Sequence, residues 1–349
     1  MIVRSKHNKS LNGHNLLWLT SRKPIKLWWI YCESLNKNHT KTNPPQFLVE
    51  RSQTLYNKDM EKLHIPVLLS EVLASLDPQP GETYLDLTAG YGGHASKILD
   101  VTQNYKNSVL VDRDKFAADY LERKFPPDIA IINEDFYSAV LQLTECGRTF
   151  DMILADFGVS SPQIDMGERG FSFKHDGPLD MRMDQSQVLS ADDIVNRYSE
   201  RELADIFTRF GEEKPGRARL LAREIVHHRP IKSTKELTDI IIGKSRYSKT
   251  HPAARVFQAI RIAVNDELGE IEKTLPLLPK LLNKDGRVGI ITFHSLEDRL
   301  VKDYFKEVSS FGEESELKII TKKPIVAENQ ELVINPRARS AKLRVATRN

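Results

Sequence analysis

The sequence has few cysteines and no long apolar run. Cys32 and Cys146 are the only two cysteines in 349 residues, and they stand far apart, outside any C-x-x-C pattern. This spacing argues against a disulfide framework or a zinc site and fits a reducing compartment. The apolar run from Leu27 to Cys32 is far shorter than the roughly 20 residues of a membrane-spanning helix, so we expect no membrane association.

A large net charge of either sign is also missing, since the total is only +3. Residues 1–59 hold ten Lys or Arg against three acids, which gives them +7 and leaves −4 for residues 60–349. The total charge therefore cannot indicate a nucleic-acid partner, and a basic surface has to be sought locally.

Residues 1–59 form a basic leader that we expect to be disordered and to lie outside the fold. They contain no acid before Glu33 and all three tryptophans, Trp18, Trp28 and Trp29. Three interpretations stay open: an upstream start codon, an organelle transit peptide or an accessory RNA-binding arm. Met60-Glu61-Lys62 resembles an ordinary start, which favours the first and a cytoplasmic protein. A transit peptide would instead predict a mitochondrial or other organelle location.

A strand, a glycine turn and a helix follow one another between Thr83 and Leu99. The turn contains Gly90, Gly92, Gly93 and His94. In a doubly wound α/β sheet such a turn lets the backbone approach a nucleotide at a helix N-terminus. The second strand ends at Asp112, placed to accept ribose hydroxyls, and the third is followed by Phe136, placed to face an adenine ring.

Gly90-x-Gly92-x-x-Ala95 also fits a dinucleotide fingerprint, so a nicotinamide-dependent dehydrogenase is one alternative. Asp86, four residues before Gly90, argues against it. A carboxylate there suits the cationic amino-acid end of S-adenosyl-L-methionine and would sit badly beside a pyrophosphate. We therefore predict S-adenosyl-L-methionine as the cofactor.

The fourth strand, Phe150 to Asp156, delivers an acid to the edge of the sheet where ligands bind. The loop after it resembles the D-P-P-Y or S-P-P-Y loop of amino-directed methyltransferases. An exocyclic cytosine nitrogen is a poor nucleophile because its lone pair is delocalised, so acceptors must hold its N–H groups. We predict Asp156 as the catalytic acceptor, with Ser161 and His294 as alternatives.

Motifs from His64 to the C-terminus closely resemble the family of small-subunit ribosomal RNA cytosine-N4 methyltransferases of the H type. They are His64-x-Pro66-Val67-Leu68-Leu69, Gly92-Gly93-His94, Gly158-Val159-Ser160-Ser161-Pro162-Gln163, Gly167-Glu168-Arg169-Gly170-Phe171-Ser172-Phe173, Asp176-Gly177-Pro178-Leu179-Asp180-Met181-Arg182-Met183-Asp184, Arg255-x-Phe257-Gln258-Ala259-x-Arg261, Phe293-His294-Ser295-Leu296-Glu297-Asp298-Arg299 and Asn335-Pro336-Arg337-Ala338-Arg339-Ser340. The resemblance implies methylation of the N4 of a cytidine in the decoding region, on a Rossmann-like class I methyltransferase fold with an inserted helical domain. It places cofactor contacts on Gly92, Gly93, His94, Asp112, Phe136, Asp156 and Gln163.

The predicted domains are residues 60–165 (first part of the methyltransferase domain), 166–254 (inserted helical, substrate-binding domain) and 255–349 (second part, with a basic C-terminal segment). Residues 209–235 hold eight Lys or Arg against three acids. We predict RNA contacts at Arg217, Arg219, Arg223, Arg337 and Arg339. Phe171 and Phe173 are predicted to stack on the target base, with core packing as the alternative.

No metal site is predicted, because the pair His227-His228 has no third ligand at a suitable spacing. The partner is small-subunit ribosomal RNA or the assembled small subunit, and a homodimer is left open. A ribosome-assembly factor that binds the cofactor without turnover is the alternative function from another class. Cytosine in DNA remains a formal alternative substrate, since only contacts to the 2′-hydroxyl distinguish RNA from DNA.

Overall fold

The computed structural model describes residues 66–244, 251–310 and 315–349. The predictions for the leader, for Cys32 and for His64 concern residues outside these ranges. Among the helices of the described ranges, none is both long enough and apolar enough to cross a bilayer.

The centre of the fold is one seven-stranded sheet in the order β3-β2-β1-β4-β5-β7-β6. Its strands are β1 Tyr84–Asp86, β2 Val109–Val111, β3 Ala130–Ile132, β4 Phe150–Asp156, β5 Leu282–Thr292, β6 Leu317–Ile319 and β7 Lys342–Arg348. β1 to β5 pair in parallel, whereas β7 is antiparallel to both β5 and β6. The strand order reverses between β1 and β4, which is the switch point where open α/β sheets bind ligands. The predicted doubly wound, Rossmann-like sheet is confirmed.

Helices cover both faces of this sheet. In chain order they are α1 Leu69–Leu76, α2 Gly93–Thr102, α3 Lys115–Lys124, α4 Phe136–Glu145, α5 Ser161–Asp165, α6 Ala191–Arg197, α7 Glu200–Arg209, α8 Pro215–His227, α9 Thr234–Gly243, α10 Ala254–Asn265, α11 Glu267–Thr274, α12 Leu278–Leu281, α13 Ser295–Val308 and α14 Asn329–Ile334. Side chains of successive strand residues enter two hydrophobic clusters, because they point to opposite faces. Leu85 and Ile153 pack with α4, α11 and α13, whereas Tyr84 and Met152 pack with α1, α2 and α3.

The chain between β4 and β5 builds a third hydrophobic cluster. Residues of α6 to α10 surround it, with Phe207 and Leu221 fully buried at its centre. The four helices α6 to α9 lie within the segment for which a helical pattern is predicted. The cluster continues into α10 as far as Val264, beyond the predicted boundary at residue 254. The domain boundaries themselves stay predictions.

Two backbone segments of this region cross at Gly167 and Gly177. A Cβ on Gly177 would lie 1.8 Å from the carbonyl oxygen of Gly167, so only glycine allows the crossing. The Gly177 N–H donates to the Thr234 hydroxyl at 3.0 Å, and the Gly177 carbonyl accepts from the Thr234 N–H at 2.9 Å. This crossing therefore ties the loop after β4 to the start of α9 and explains part of the unusual motif around residues 167–184.

Candidate functional site

A cavity of about 510 Å³ opens at the carboxyl edge of the sheet. It is lined by the ends of β1, β2 and β4, the start of α4, and the turn Pro336–Ser340 near the C-terminus. The predicted site residues that line it are Gly90, Gly93, His94, Asp112, Phe136, Asp156, Ser161, Gln163, Arg337 and Arg339. The fold thus brings together residues from distant parts of the sequence, as expected for a switch-point site.

Asp112 holds the glycine turn in place. Its Oδ2 accepts the N–H of Gly90 at 2.7 Å and its Oδ1 accepts the N–H of Asp114 at 2.8 Å. Burial raises the pKa of Asp112 to about 6, even though these two hydrogen bonds favour the charged form. The carboxylate is a fixed acceptor at the end of β2, which suits the ribose hydroxyls of a nucleoside.

Asp86 and Gly92 support the turn without lining the cavity. Asp86 is 1 % exposed and accepts hydrogen bonds from the Tyr84 hydroxyl at 2.7 Å and the Thr88 N–H at 3.1 Å. Burial raises its pKa to about 7. Gly92 precedes α2 with φ +71°, and a Cβ there would meet the Phe125 ring at 2.6 Å. Their direct contact with a cofactor stays a prediction.

Two phenylalanines form an aromatic wall. Phe136 is the first residue of α4, whose N-terminus is capped by the side chain of Asp135. The Phe136 and Phe157 rings lie 5.4 Å apart at 37°, and both line the cavity. Phe157, which the sequence analysis did not assign to the site, follows directly after β4. A planar base could pack against such a wall.

Asp156 ends β4 beside His94. His94 donates from Nε2 to the Val67 carbonyl at 2.9 Å, and its Nδ1 lies 3.9 Å from Asp156 Oδ2. Asp156 Oδ1 is buried and accepts no hydrogen bond from any residue in the described ranges. Burial, together with the charges of Asp86 and Glu297, raises the pKa of Asp156 well above its usual range. A buried oxygen without a partner is costly, so a donor or a cation from a ligand would stabilise it.

Gln163 and Arg169 meet at one carboxylate oxygen. Arg169 Nη1 donates to Asp114 Oδ2 at 2.8 Å, and Gln163 Nε2 donates to the same atom at 2.9 Å. Gln163 Oε1 accepts the N–H of Ser160 at 3.0 Å. These contacts fix the loop after β4 against the end of β2. Asp114 and Arg169 are the members of this group that are not among the predicted site residues.

His294, a predicted catalytic alternative, and Glu297, for which no role is predicted, lie together at the start of α13. The ring of His294 caps α13 by accepting the Glu297 N–H on Nδ1 at 3.4 Å, and His294 does not line the cavity. Glu297, three residues further, does line it and is completely buried. Ser161 lines it as the first residue of α5. The assignment of catalytic roles among these residues stays a prediction.

Two buried ion pairs of the wall were not foreseen. Arg261 contacts Glu267, and Arg113 contacts Glu270. Burial raises the pKa of Glu270 to about 7 despite the neighbouring Arg113. The first pair joins α10 to α11, and the second joins the loop after β2 to α11. They carry no periodic or local sequence signal, because each depends on how separate elements pack.

Glu267, His294 and Glu297 offer ligand atoms within 4.8 Å of one another, a spacing that a metal ion could bridge. However, Arg261 donates to both carboxylate oxygens of Glu267 and already supplies a positive charge. The prediction that the protein binds no metal remains a prediction.

The residues predicted to contact RNA fall into separate groups. Phe171 is 8 % exposed and belongs to the helical cluster, while Phe173 stacks on His251 with ring centroids 4.4 Å apart. Neither ring lines the cavity, so this arrangement favours the packing alternative. On α8, Arg217 pairs with Glu213 and Arg223 with Glu200, whereas Arg219 is exposed. Arg337 and Arg339 alone among the predicted RNA contacts line the cavity.

Comparison with known proteins connects this chain to a family. The model of the MraW methylase family matches residues 61–349. Curated proteins named ribosomal RNA small subunit methyltransferase H are similar to this chain. The protein from Synechocystis sp. is 47% identical over 295 residues, covering 81% of this chain and 92% of its own. Those from Trichodesmium erythraeum and Nostoc sp. are each 46% identical and cover 81% of this chain, with 98% and 92% of their own lengths matched. The chain therefore belongs to the MraW methylase family.

Proposed function

We propose that the cavity at the carboxyl edge is where this enzyme transfers a methyl group from S-adenosyl-L-methionine to the exocyclic N4 of a cytidine in small-subunit ribosomal RNA. Family membership confirms the predicted ribosomal RNA methyltransferase activity and its cofactor. It does not favour the dehydrogenase or the assembly factor without turnover. The residue roles given below are proposals.

The observation that carries the site assignment is that Asp112, Phe136 and Asp156 line one cavity. Asp112 would accept the ribose hydroxyls, and Phe136 with Phe157 would pack against the adenine. The buried Oδ1 of Asp156, which has no hydrogen-bond partner among the described residues, would face the cationic end of the cofactor or the amine of the target. The carboxylates and aromatic rings thus match the ribose, the adenine and the cationic end of the cofactor. When bound, the cofactor supplies an electrophilic methyl group on a sulfonium.

The side chains have to make the exocyclic amine a better nucleophile. An acceptor that holds its N–H localises the lone pair on nitrogen, and a proton has to leave the amine as the N–C bond forms. Fixing the amine in line with the methyl group would supply further acceleration. Asp156 is the first proposed acceptor, and the hydroxyl of Ser161 is the alternative.

Arg337 and Arg339 are the proposed phosphate contacts at the cavity mouth. Arg339 is exposed, and Arg337 pairs with the partly exposed Asp165 at 2.7 Å, where a phosphate could compete for it. Arg219 and the other arginines of α8 would contact RNA farther from the reacting base. We further propose the assembled small subunit as the substrate, with naked RNA as the alternative.

The leader and the compartment belong to the same proposal. An upstream start leaves an enzyme that acts in the cytoplasm, and a transit peptide would direct it to an organelle with its own ribosomes. Removal of residues 1–59 should leave catalysis intact in either case. A homodimer would appear in solution as a doubled mass.

The test is methyl transfer from labelled S-adenosyl-L-methionine to small subunits that lack the modification, and in parallel to naked ribosomal RNA. The full chain and residues 60–349 are compared, with Asp156→Ala as the control. Digestion to nucleosides and mass spectrometry should find the label in N4-methylcytidine, and Asp156→Ala should lose it. Cofactor binding without any transfer would overturn the proposed reaction, and label in another nucleoside would overturn the proposed target.

A further inference from the structure

Glu297 combines complete burial with a position in the cavity wall. Its Oε2 accepts the backbone N–H groups of Phe293 at 2.7 Å and His294 at 3.2 Å. Its Oε1 is buried and accepts no hydrogen bond from any residue that the structure describes. One oxygen thus holds the start of α13, and the other is left for a ligand, because an unmet acceptor in the interior is costly.

His294 lies beside that second oxygen without satisfying it. The Nδ1 of His294 accepts the Glu297 N–H, so the neutral ring carries its proton on Nε2. Nε2 is 3.1 Å from Glu297 Oε1, but the two groups are not aligned as a hydrogen bond. The ring N–H therefore stabilises the carboxylate at close range, and Oε1 keeps a lone pair that can accept another donor.

The surroundings keep Glu297 ionised while Asp156 is not favoured as an anion. Burial alone would raise the pKa of Glu297, but His294, Arg261 and the backbone N–H of Phe293 outweigh it and hold the pKa below its usual range. The other acids that face it are Glu267, which Arg261 neutralises, and Asp156, whose pKa burial and neighbouring acids raise. Of the two, Glu297 is therefore the carboxylate that is present as an anion and has room for a proton.

The target amine has two N–H groups. Among the described residues, three buried carboxylate oxygens of the cavity wall have no hydrogen-bond partner, and one of them, Glu270 Oε2, belongs to a carboxylate already paired with Arg113. Asp156 Oδ1 stands at the end of β4, and Glu297 Oε1 lies just after the neighbouring strand β5. Resting on the proposed function, we propose that Glu297 is a catalytic residue whose Oε1 holds one N–H of the target amine and takes its proton during methyl transfer.

The step balances in atoms and charge. The nitrogen lone pair forms the N–C bond, and the C–S electron pair goes to sulfur, which becomes a neutral thioether. The electrons of the broken N–H bond return to nitrogen, and the proton goes to Glu297 Oε1. A sulfonium cation and a carboxylate anion are replaced by two neutral groups, so the buried site ends with less uncompensated charge.

The experiment uses the full chain in single turnover on small subunits that lack the modification. Glu297→Gln keeps an oxygen for the Phe293 and His294 N–H groups but cannot take a proton. We expect its transfer rate to fall by at least about 100-fold, within the range for loss of a general base. Cofactor affinity and the thermal midpoint should stay close to those of the unsubstituted chain. Asp303→Asn, an exposed change of the same kind on α13, should have no effect.

Two further measurements separate catalysis from folding. The rate of the unsubstituted chain should rise with pH just below the usual pKa range of a glutamate, where Glu297 ionises, and the rate of Glu297→Gln should lose this rise. Glu297→Asp keeps a carboxylate and should recover part of the rate together with the pH dependence. A purely structural role would make the cofactor affinity and thermal midpoint fall in step with the rate in both variants.

A Glu297→Gln rate within a few-fold of the unsubstituted rate would overturn the inference and leave the proposed function standing. Loss of rate that only follows loss of cofactor affinity or stability would also overturn it. Absence of transfer by the unsubstituted chain would instead overturn the proposed function, and this inference with it.

Discussion

Arg261 holds Glu267 by two parallel contacts: its Nε and Nη2 donate to separate carboxylate oxygens, each at 2.8 Å. Both side chains are nearly buried, and both line the cavity. The pair bridges the turn at Asp266, where α10 ends and α11 begins. A buried pair of this kind positions two helices at the site. Removing one partner destabilises the fold, because the other charge is then buried without compensation.

Removing only the arginine should therefore destabilise the protein strongly. Arg261→Met leaves Glu267 buried without its partner, and we expect a loss of about 3–5 kcal/mol in the free energy of unfolding. Arg261→Met combined with Glu267→Leu should restore most of this stability but not methyl transfer, since both side chains belong to the wall. Denaturant unfolding measures the first effect and single-turnover transfer the second. Equal instability of the single and double variants would contradict the argument.

Glycine at position 92 should be far less replaceable than glycine at position 81. Both have positive φ, but a Cβ on Gly92 meets the Phe125 ring at 2.6 Å, whereas a Cβ on Gly81 meets nothing within 4 Å. Gly81→Ala should cost about 1–2 kcal/mol from backbone strain alone. Gly92→Ala should add a further 1–3 kcal/mol, roughly, from overpacking and should weaken cofactor binding. Urea unfolding of both variants tests this. Equal losses in the free energy of unfolding would show that the Phe125 ring moves aside at little cost.

The ligand-free chain should lose stability as the pH rises from about 4 to about 7. Burial raises the pKa of Asp86 to about 7, so the folded state binds its proton more tightly than the unfolded state does. Stability then falls with pH across this window by up to about 1.4 kcal/mol per unit for one such group and levels off above it. Asp112, with a pKa raised to about 6, acts in the same direction.

Asp86→Asn should flatten this dependence and raise stability at pH 8, because the amide carries no charge to bury. Asp100→Asn, which removes an exposed carboxylate from α2, should leave the slope unchanged. The measurement is the free energy of unfolding at a series of pH values. An equally steep slope in Asp86→Asn would show that other acids dominate.

The cavity-mouth arginines should contribute to the salt dependence of RNA binding. Arg337→Ala with Arg339→Ala should weaken binding and reduce the slope of log affinity against log salt by about 0.7 for each lost contact with single-stranded RNA. Lys280 is exposed just before the first residue of β5, at the opposite edge of the sheet, and Lys280→Ala is the matched control. Binding titrations at several salt concentrations measure this slope. A slope unchanged from that of the control would remove both arginines from the interface.

Sequence patterns predicted the structural features that arise from continuous runs of apolar residues. β4 spans Phe150–Asp156, as the apolar run predicts, because a parallel strand buried on both faces has no polar alternation. Asp112 meets the turn at Gly90 because parallel strands place their carboxyl ends side by side. Strand ends do not follow from such runs: the run from Gly286 to Phe293 covers only part of the fifth strand, which begins at Leu282 and pairs with Phe150 through a register shift.

Patterns failed where three-dimensional packing decides between neighbours. His294 and Glu297 both follow β5, and only the histidine is predicted from the sequence as a catalytic candidate. As the N-cap of α13, the His294 ring accepts the backbone N–H of Glu297. This geometry leaves the Glu297 side chain in the cavity wall. The buried state of Asp86 likewise depends on the Tyr84 hydroxyl above it, two residues away on the same strand.

The crossing of Gly177 over Gly167 restricts which mutations of the gene leave the fold intact. Every missense change in the codon for Gly177 adds a Cβ, and that atom would overlap the Gly167 carbonyl oxygen whatever the rest of the side chain is. Backbone, unlike a side-chain tip, cannot rotate aside, so this codon has no conservative replacement. The only base changes that preserve glycine at this codon are synonymous changes at its third base.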